Sequence, residues 1–185
     1  MQTPKFSIVI IAKNETKTLP KCIESLRDFT SRGGEIILCD TGSTDGTPEL
    51  ARSLGCKVTE VGEKFITTLD EETANKLNER FVVEGETSIV QAGNRLFDFA
   101  AARNYATSLA SNDMVCTLDA DEEYSVLNID EINKFVEDGF EQGEYQFIYA
   151  HDWMGNPAVQ FIQSKLFDRR VVKWCGVVHE GGAGG

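Results

Sequence analysis

The run Phe6-Ser7-Ile8-Val9-Ile10-Ile11-Ala12 is apolar at almost every position and rich in β-branched residues. A strand with one face in water alternates polar and apolar side chains, so this run predicts a strand covered on both faces, as in a parallel sheet flanked by helices. The segments that follow keep the rhythm such a sheet needs. From Thr18 onward, Leu19, Cys22, Ile23, Leu26 and Phe29 recur at helical spacing, Pro20 suits a first turn, and Gly33-Gly34 supplies a stop. Glu35-Ile36-Ile37-Leu38-Cys39-Asp40 is a second buried strand, and Thr41-Gly42-Ser43-Thr44-Asp45-Gly46 has turn composition. Thr47 then caps a helix with Pro48 in its first turn, Gly55 closes it, and a third strand runs from Lys57 to Val61.

This β-α-β-α-β order predicts right-handed crossovers that bring Asn14, Glu15 and Asp40 to one edge of the sheet, where ligands of open α/β sheets bind. Residues 62 to 93 interrupt the pattern with polar sequence, one helix (Asp70 to Arg80) and a β-rich patch at Phe81-Val82-Val83. They read as an insertion, either a lid or a surface elaboration. Asp98 to Ala110 is an alanine-rich helix whose Phe99, Ala102, Ala106 and Leu109 share a packing face, with Arg103 and Asn104 beside it. Asp113 to Leu118 is the next strand, and Ile129, Ile132, Phe135 and Val136 mark a helix ending at Gly139. Strands at Tyr145 to Ala150, Val159 to Phe167 and Val171 to Val178 make the sheet mixed, and Gly181-Gly182-Ala183-Gly184-Gly185 reads as a flexible tail or truncation point. The expectation is one α/β domain over residues 1–180, with a Rossmann-like, mostly parallel mixed sheet and helices on both faces.

The strand ending at Leu118 delivers Asp119, Asp121, Glu122 and Glu123 almost together. Crowded carboxylates repel, and a hard divalent cation such as Mg²⁺ or Mn²⁺, often held by one or two carboxylates plus substrate phosphates, relieves them. Side chains alternate along a strand, so Asp119 and Asp121 are expected to face the same side. A bare D-x-D is a weak signal, and solvated loop acids are the plain alternative. The net charge of −12 excludes general nucleic-acid binding, and an anionic ligand would need a metal or a local arginine to reverse the field. No apolar run approaches the ~18 residues of a transmembrane segment. The N-terminus carries no secretory pattern, and the five scattered cysteines suit reduced thiols, so a soluble, cytoplasmic protein is expected.

Five motifs in order resemble those of family 2 glycosyltransferases of the GT-A fold. They are Ser7 through Glu15, Asp40 through Thr47, Ala102-Arg103-Asn104, Leu118-Asp119-Ala120-Asp121-Glu122 and Val178-His179-Glu180. The last three blocks most resemble a branch that includes lipopolysaccharide-core and peptide glycosyltransferases. The departures are the 62–93 insertion and the absence of sequence after the final motif.

The resemblance implies a metal-dependent, inverting transfer of a sugar from a nucleotide-diphosphate donor, expected to be UDP-linked, to a hydroxyl of a glycan, lipid-linked glycan or protein. In it Asp40 accepts from the N3–H of the base, against the rival role of capping its turn. Ala12, Asn14, Glu15 and Ser43 line the nucleoside pocket, Asn14 and Glu15 otherwise capping their loop. Arg103 meets base or phosphates, or else forms a structural salt bridge to Asp98 or Asp119. Asp119 touches ribose or metal, Asp121 binds the Mn²⁺ or Mg²⁺, and His179 adds a nitrogen ligand. Glu180 is the general base, with Asp152 in reserve. Trp153 or Trp174 offers an apolar sugar platform or simply packs in the core. The rival readings are a nucleotide-sugar-binding module without turnover, and a phosphohydrolase of the haloacid dehalogenase type. The second expects its D-x-D near the N-terminus, whereas here it comes late and precedes Glu122-Glu123.

Overall fold

The computed structural model describes residues 2–81, 90–175 and 181–184. In chain order its elements are β1 (Phe6–Ala12), α1 (Leu19–Ser25), α2 (Arg27–Ser31), β2 (Glu35–Asp40), α3 (Thr47–Ser53), β3 (Lys57–Glu60), β4 (Ile66–Thr68) and α4 (Glu71–Phe81). There follow β5 (Arg95–Phe97), α5 (Phe99–Ser108), β6 (Met114–Asp119), α6 (Ile129–Glu137), β7 (Gln142–His151), β8 (Pro157–Asp168), β9 (Val172–Cys175) and β10 (Gly181–Gly184).

Six strands form one sheet in the order β3-β2-β1-β6-β8-β7. The first four are parallel, and β8 and β7 add an antiparallel edge, so the sheet is mixed and mostly parallel as the strand patterns predict. Alternation along β1 divides the core. Phe6, Ile8, Ile10 and Ala12 face one cluster with residues of α1, α2, α3 and α6, while Val9 faces another built on α5 and β9. The strand order reverses between β1 and β6, since β2 and β3 lie to one side and β6 to the other. The carboxyl ends there carry Ala12 opposite Asp40 and Ile11 opposite Asp119. An open α/β sheet forms its ligand crevice at such a switch point.

Several boundaries differ from the expectation. The helix from Thr18 breaks at Leu26 (φ −96°, ψ 13°), giving α1 and α2, and the break lets both Leu26 and Phe29 reach full burial. Gly33 ends α2 at φ 81°, and Gly34 packs where a Cβ would lie 2.4 Å from the Phe29 ring. In α5 the buried face comprises Ala100, Ala102, Arg103, Ala106 and Thr107. Phe99 instead turns outward, 38% exposed and edge-on to Phe97 at 4.7 Å.

The segment 62–93 is tied at its base: β4 pairs antiparallel with β5, and the Asp98 N–H donates to Phe65 O at 2.8 Å. These three-residue strands are too short to show a period. Its helix is α4, with Asp70 capping the Thr73 N–H at 2.8 Å, and the rest of its β-rich patch, Val82 and Val83, lies outside the described residues. The glycine-rich end is not a free tail through Gly184, because Gly181–Gly184 pair antiparallel with Val172–Cys175. Strand pairing uses backbone groups, which glycine supplies as well as any residue. Nor does β9 extend the main sheet. Among the described residues no helix is long and apolar enough to cross a membrane.

Candidate active site at the carboxyl edge of the sheet

The loops after β1 and β2 are stitched together. The Asn14 N–H donates to Ser43 Oγ at 2.8 Å, and Asn14 Oδ1 accepts from the Thr44 N–H at 2.8 Å. Asn14 holds φ at 61°, a left-handed conformation asparagine tolerates better than most residues. The Glu15 N–H reaches Thr47 Oγ1 at 2.8 Å, and the Glu15 carboxylate accepts from Thr18 Oγ1 at 2.5 Å. Asn14, Glu15 and Ser43 therefore build the rim through contacts with one another's loops, while Ala12 is buried beneath it and accepts from the Thr41 N–H through its carbonyl.

Asp40 ends β2 and is 2% exposed. Its Oδ2 accepts from the N–H groups of Gly42 (3.1 Å) and Ser43 (3.0 Å), which is the turn-capping role. Gly42 adopts φ 99°, open to glycine, and its N–H meets that oxygen. Oδ1 is buried with no hydrogen-bond partner among the described residues. Buried acceptors are rarely left without a donor, so this oxygen marks a place for one.

About 10 Å away, two strands over, Asp119 ends β6. Its Oδ1 accepts from Arg103 Nη2 at 2.8 Å and its Oδ2 from Lys165 Nζ at 3.0 Å. Burial by itself would raise this carboxyl, but Arg103 and then Lys165 outweigh it and hold the group below its ordinary value. The side chain is still 34% exposed, so the crevice reaches it. Of the two structural partners foreseen for Arg103, Asp119 is the one it pairs with. Asp98 instead caps α5 at the Ala101 N–H (2.8 Å), and the guanidinium lies 5.2 Å from the Trp174 ring.

The strand alternation expected to carry from Asp119 to Asp121 stops at Asp119. The Glu122 N–H donates to Asp119 O at 3.0 Å, closing a turn, and Glu122 Oε2 accepts the Asp119 N–H at 3.0 Å. Glu122 is thus drawn into the cluster and also accepts from Lys165 Nζ at 2.5 Å. Burial pushes its carboxyl up, opposed by Lys165. Asp121 is exposed and makes no hydrogen bond or ion pair among the described residues.

The second histidine, His179, and Glu180 lie outside the described residues. Asn104, beside Arg103, clamps the strand that leads towards them, donating to Trp174 O at 2.8 Å and accepting from the Trp174 N–H at 3.0 Å. Trp174 is a packed core residue, 5.9 Å from Phe167. Trp153 is 92% exposed at the β7–β8 hairpin tip. Asp152 sits at that tip, roughly six residues or about 20 Å beyond the level of Asp119. Its carboxylate accepts from the N–H groups of Met154 (2.8 Å) and Asn156 (2.9 Å), so it is not brought to the cluster. Among the described residues no three metal-type side chains converge. The available donor set is the single open carboxylate of Asp121, which fits a cation that draws its other ligands from a diphosphate and water.

Sequence reasoning missed Lys165 and the clamp of Asn104. A lysine preceding the buried pair Leu166-Phe167 was the available signal for the first. Asn104 shows no such pattern, because its partner is 70 residues away.

A TPR repeat-containing protein of Synechococcus elongatus is 33% identical over 117 residues, covering 63% of this chain and 20% of its own length. An uncharacterized glycosyltransferase of Rickettsia conorii is 30% identical over 130 residues, covering 70% of this chain and 33% of its own. The chain spans no more than about a third of the length of these relatives. Among solved structures, S. aureus TarS matches at 19% identity with a TM-score of 0.47, over 75% of this chain and 33% of that one. Glycosyl transferase family 2 matches over residues 7–65 and 72–181. Nearly every element that builds the crevice falls within those limits, and the chain belongs to glycosyl transferase family 2.

Proposed function

We propose that this chain is the donor-binding and catalytic part of a glycosyltransferase that moves a sugar from a nucleoside diphosphate to an acceptor hydroxyl. The observation that carries the reading is the buried Oδ1 of Asp40, without a partner among the described residues, two strands from Asp119 with its Arg103 and Lys165 partners at the switch point. Asp40 accepts the N3–H of a uracil, a donor that matches a carboxylate. Asp119, oriented by Arg103 and Lys165, meets the ribose hydroxyls, which leaves Asp121 and His179 to hold Mn²⁺ or Mg²⁺. A bound cation of this kind supplies charge compensation for the departing diphosphate. Glu180 takes the proton of the acceptor hydroxyl as its oxygen attacks the anomeric carbon from the face opposite the leaving group, so configuration inverts. The acceptor is a glycan, a lipid-linked glycan or a protein.

The test is calorimetric titration of UDP and a panel of UDP-sugars with and without Mn²⁺, combined with assay of UDP release. Mn²⁺ should tighten binding to the parent. Asp121→Ala should weaken the Mn²⁺-dependent part by roughly tenfold or more, since loss of even an outer-sphere partner of a metal site commonly costs that much. A variant that binds donor and metal as the parent does would remove the central assignment. Donor binding with no UDP release under any acceptor would favour a binding module over an enzyme.

A further inference from the structure

Lys165 is 8% exposed, and lysine is almost never this buried unless paired. Its strand is held differently by its two neighbours. Gly143 faces Leu166, whereas Tyr145 faces Gln163, so Ser164 and Lys165 together oppose the single residue Glu144. This is a β-bulge relative to β7, while the pairing of Cys116 with Leu166 on the other side brings Lys165 level with Thr117 and, by alternation, onto the face of Phe167. Ser164 Oγ donates to Glu144 Oε1 at 3.1 Å, and Lys165 reaches the acids at the end of β6. Its ammonium lies 5.8 Å from the Phe147 ring and donates to both Asp119 Oδ2 (3.0 Å) and Glu122 Oε1 (2.5 Å).

Among the described residues, two cations meet two acids. Arg103 and Lys165 balance Asp119 and Glu122, and the turn from Asp119 to Glu122 is closed by a reciprocal pair of hydrogen bonds. We propose that Lys165 is a positioning residue for donor binding: by neutralising Asp119 and Glu122 together it fixes Asp119 in one orientation and reserves Asp121 as the acid that meets the cation. The inference rests on the reading of this crevice as a nucleotide-sugar site and adds a residue to it. Without Lys165, Asp119 loses one of its two anchors, Glu122 loses its counter-charge, and three acids compete for one metal.

The test uses the full chain with two probes, Mn²⁺ alone followed by electron paramagnetic resonance, and UDP in the presence of Mn²⁺ followed by calorimetry. Lys165→Met should bind UDP with Mn²⁺ about tenfold more weakly, the worth of one hydrogen bond to a charged group. It should also bind Mn²⁺ alone several-fold more tightly, because a nearby positive charge has gone. Lys165→Arg, which keeps the charge, should recover both values to within about threefold. A lysine that served the fold alone would leave the UDP affinity of a variant that still folds unmoved.

Lys165→Met leaves a buried carboxylate without its counter-ion and can fail to fold. The double variant with Glu122→Gln removes both charges, should melt within a few degrees of the parent, and should still bind UDP about tenfold more weakly. The inference is overturned if the double variant binds UDP within about twofold of the parent, or if Lys165→Arg behaves as Lys165→Met does. A parent that binds neither Mn²⁺ nor UDP would defeat the nucleotide-sugar reading itself, and this inference with it. A parent that binds both, with variants that match it, would defeat only the role of Lys165.

Discussion

Strand β2 begins with one carboxylate and ends with another, and the two are treated differently. At the amino end, Glu35 Oε2 accepts from Ser7 Oγ, the Ser111 N–H and Ser111 Oγ at 2.5–2.8 Å, while Oε1 takes Lys57 Nζ at 2.6 Å. Burial would raise this carboxyl, but Lys57, then Ser7 and Ser111, outweigh it and bring the group down to about 2. At the carboxyl end, Asp40 uses only Oδ2 and leaves Oδ1 buried and without a donor among the described residues. A carboxylate that serves the fold has its lone pairs filled by the fold. One whose second oxygen is buried and open has been desolvated in advance for something else. The contrast recurs between Asp152, closed by its own hairpin turn, and Asp121, which has no hydrogen bond or ion pair among the described residues.

The comparison can be broken most decisively at the proton-transfer step. Glu180→Gln should keep UDP-sugar binding and lose transfer by roughly 10²–10⁴-fold, the usual worth of a general base. Asp152→Ala should transfer at the parent's rate. A steady-state assay in which the two variants exchanged these behaviours would show that the closed carboxylate is the working one.

The next effect concerns Asp40. In Asp40→Asn the amide oxygen must stay on the N–H groups of Gly42 and Ser43, so the amide NH₂ takes the position of Oδ1 and presents a donor to the N3–H of uracil. UDP affinity should fall by about tenfold or more, the worth of a hydrogen bond to a charged group, with little change in melting temperature. Unchanged affinity by calorimetry would reduce Asp40 to a turn cap.

The smallest effect on ligand binding belongs to Glu35, whose role falls on stability alone. A carboxyl held below its ordinary value of 4.5 contributes stability that is fully present above that pH and fades as pH falls towards about 2. Allowing for the exposure of Lys57, its contribution is about 2 kcal/mol. Glu35→Gln should therefore lower the melting temperature at neutral pH by about 4–8 °C and flatten the loss of stability below pH 4.5, leaving UDP binding intact. Identical acid-unfolding curves for parent and variant would sink this account.

How much could be read in advance follows from the range of each interaction. The buried strands β1, β2 and β6 announce themselves by composition alone, and the parallel order follows from the helices between them. The acids at their ends follow directly from where the apolar runs stop. Helix α5 was read within a residue or two of its ends, yet its buried face included Arg103, which no hydrophobic pattern assigns to a core. The expectation that Asp119 and Asp121 share a side assumed that the strand continued. It ends where Glu122 folds back onto Asp119, so Glu122 became part of the cluster while Asp121 remained outside its hydrogen bonds.

The sequence by itself determined a mostly parallel α/β sheet and placed Asp40, Asp119 and Asp121 at its carboxyl edge, because apolar periodicity is a local property that each segment carries alone. Which acid is neutralised and which is open depends on the assembled fold. That outcome rests on Arg103 arriving from a helix and on Lys165 arriving from an antiparallel strand 46 residues further along the chain. Counter-charge is supplied across elements, by a strand register that no run of neighbouring residues records.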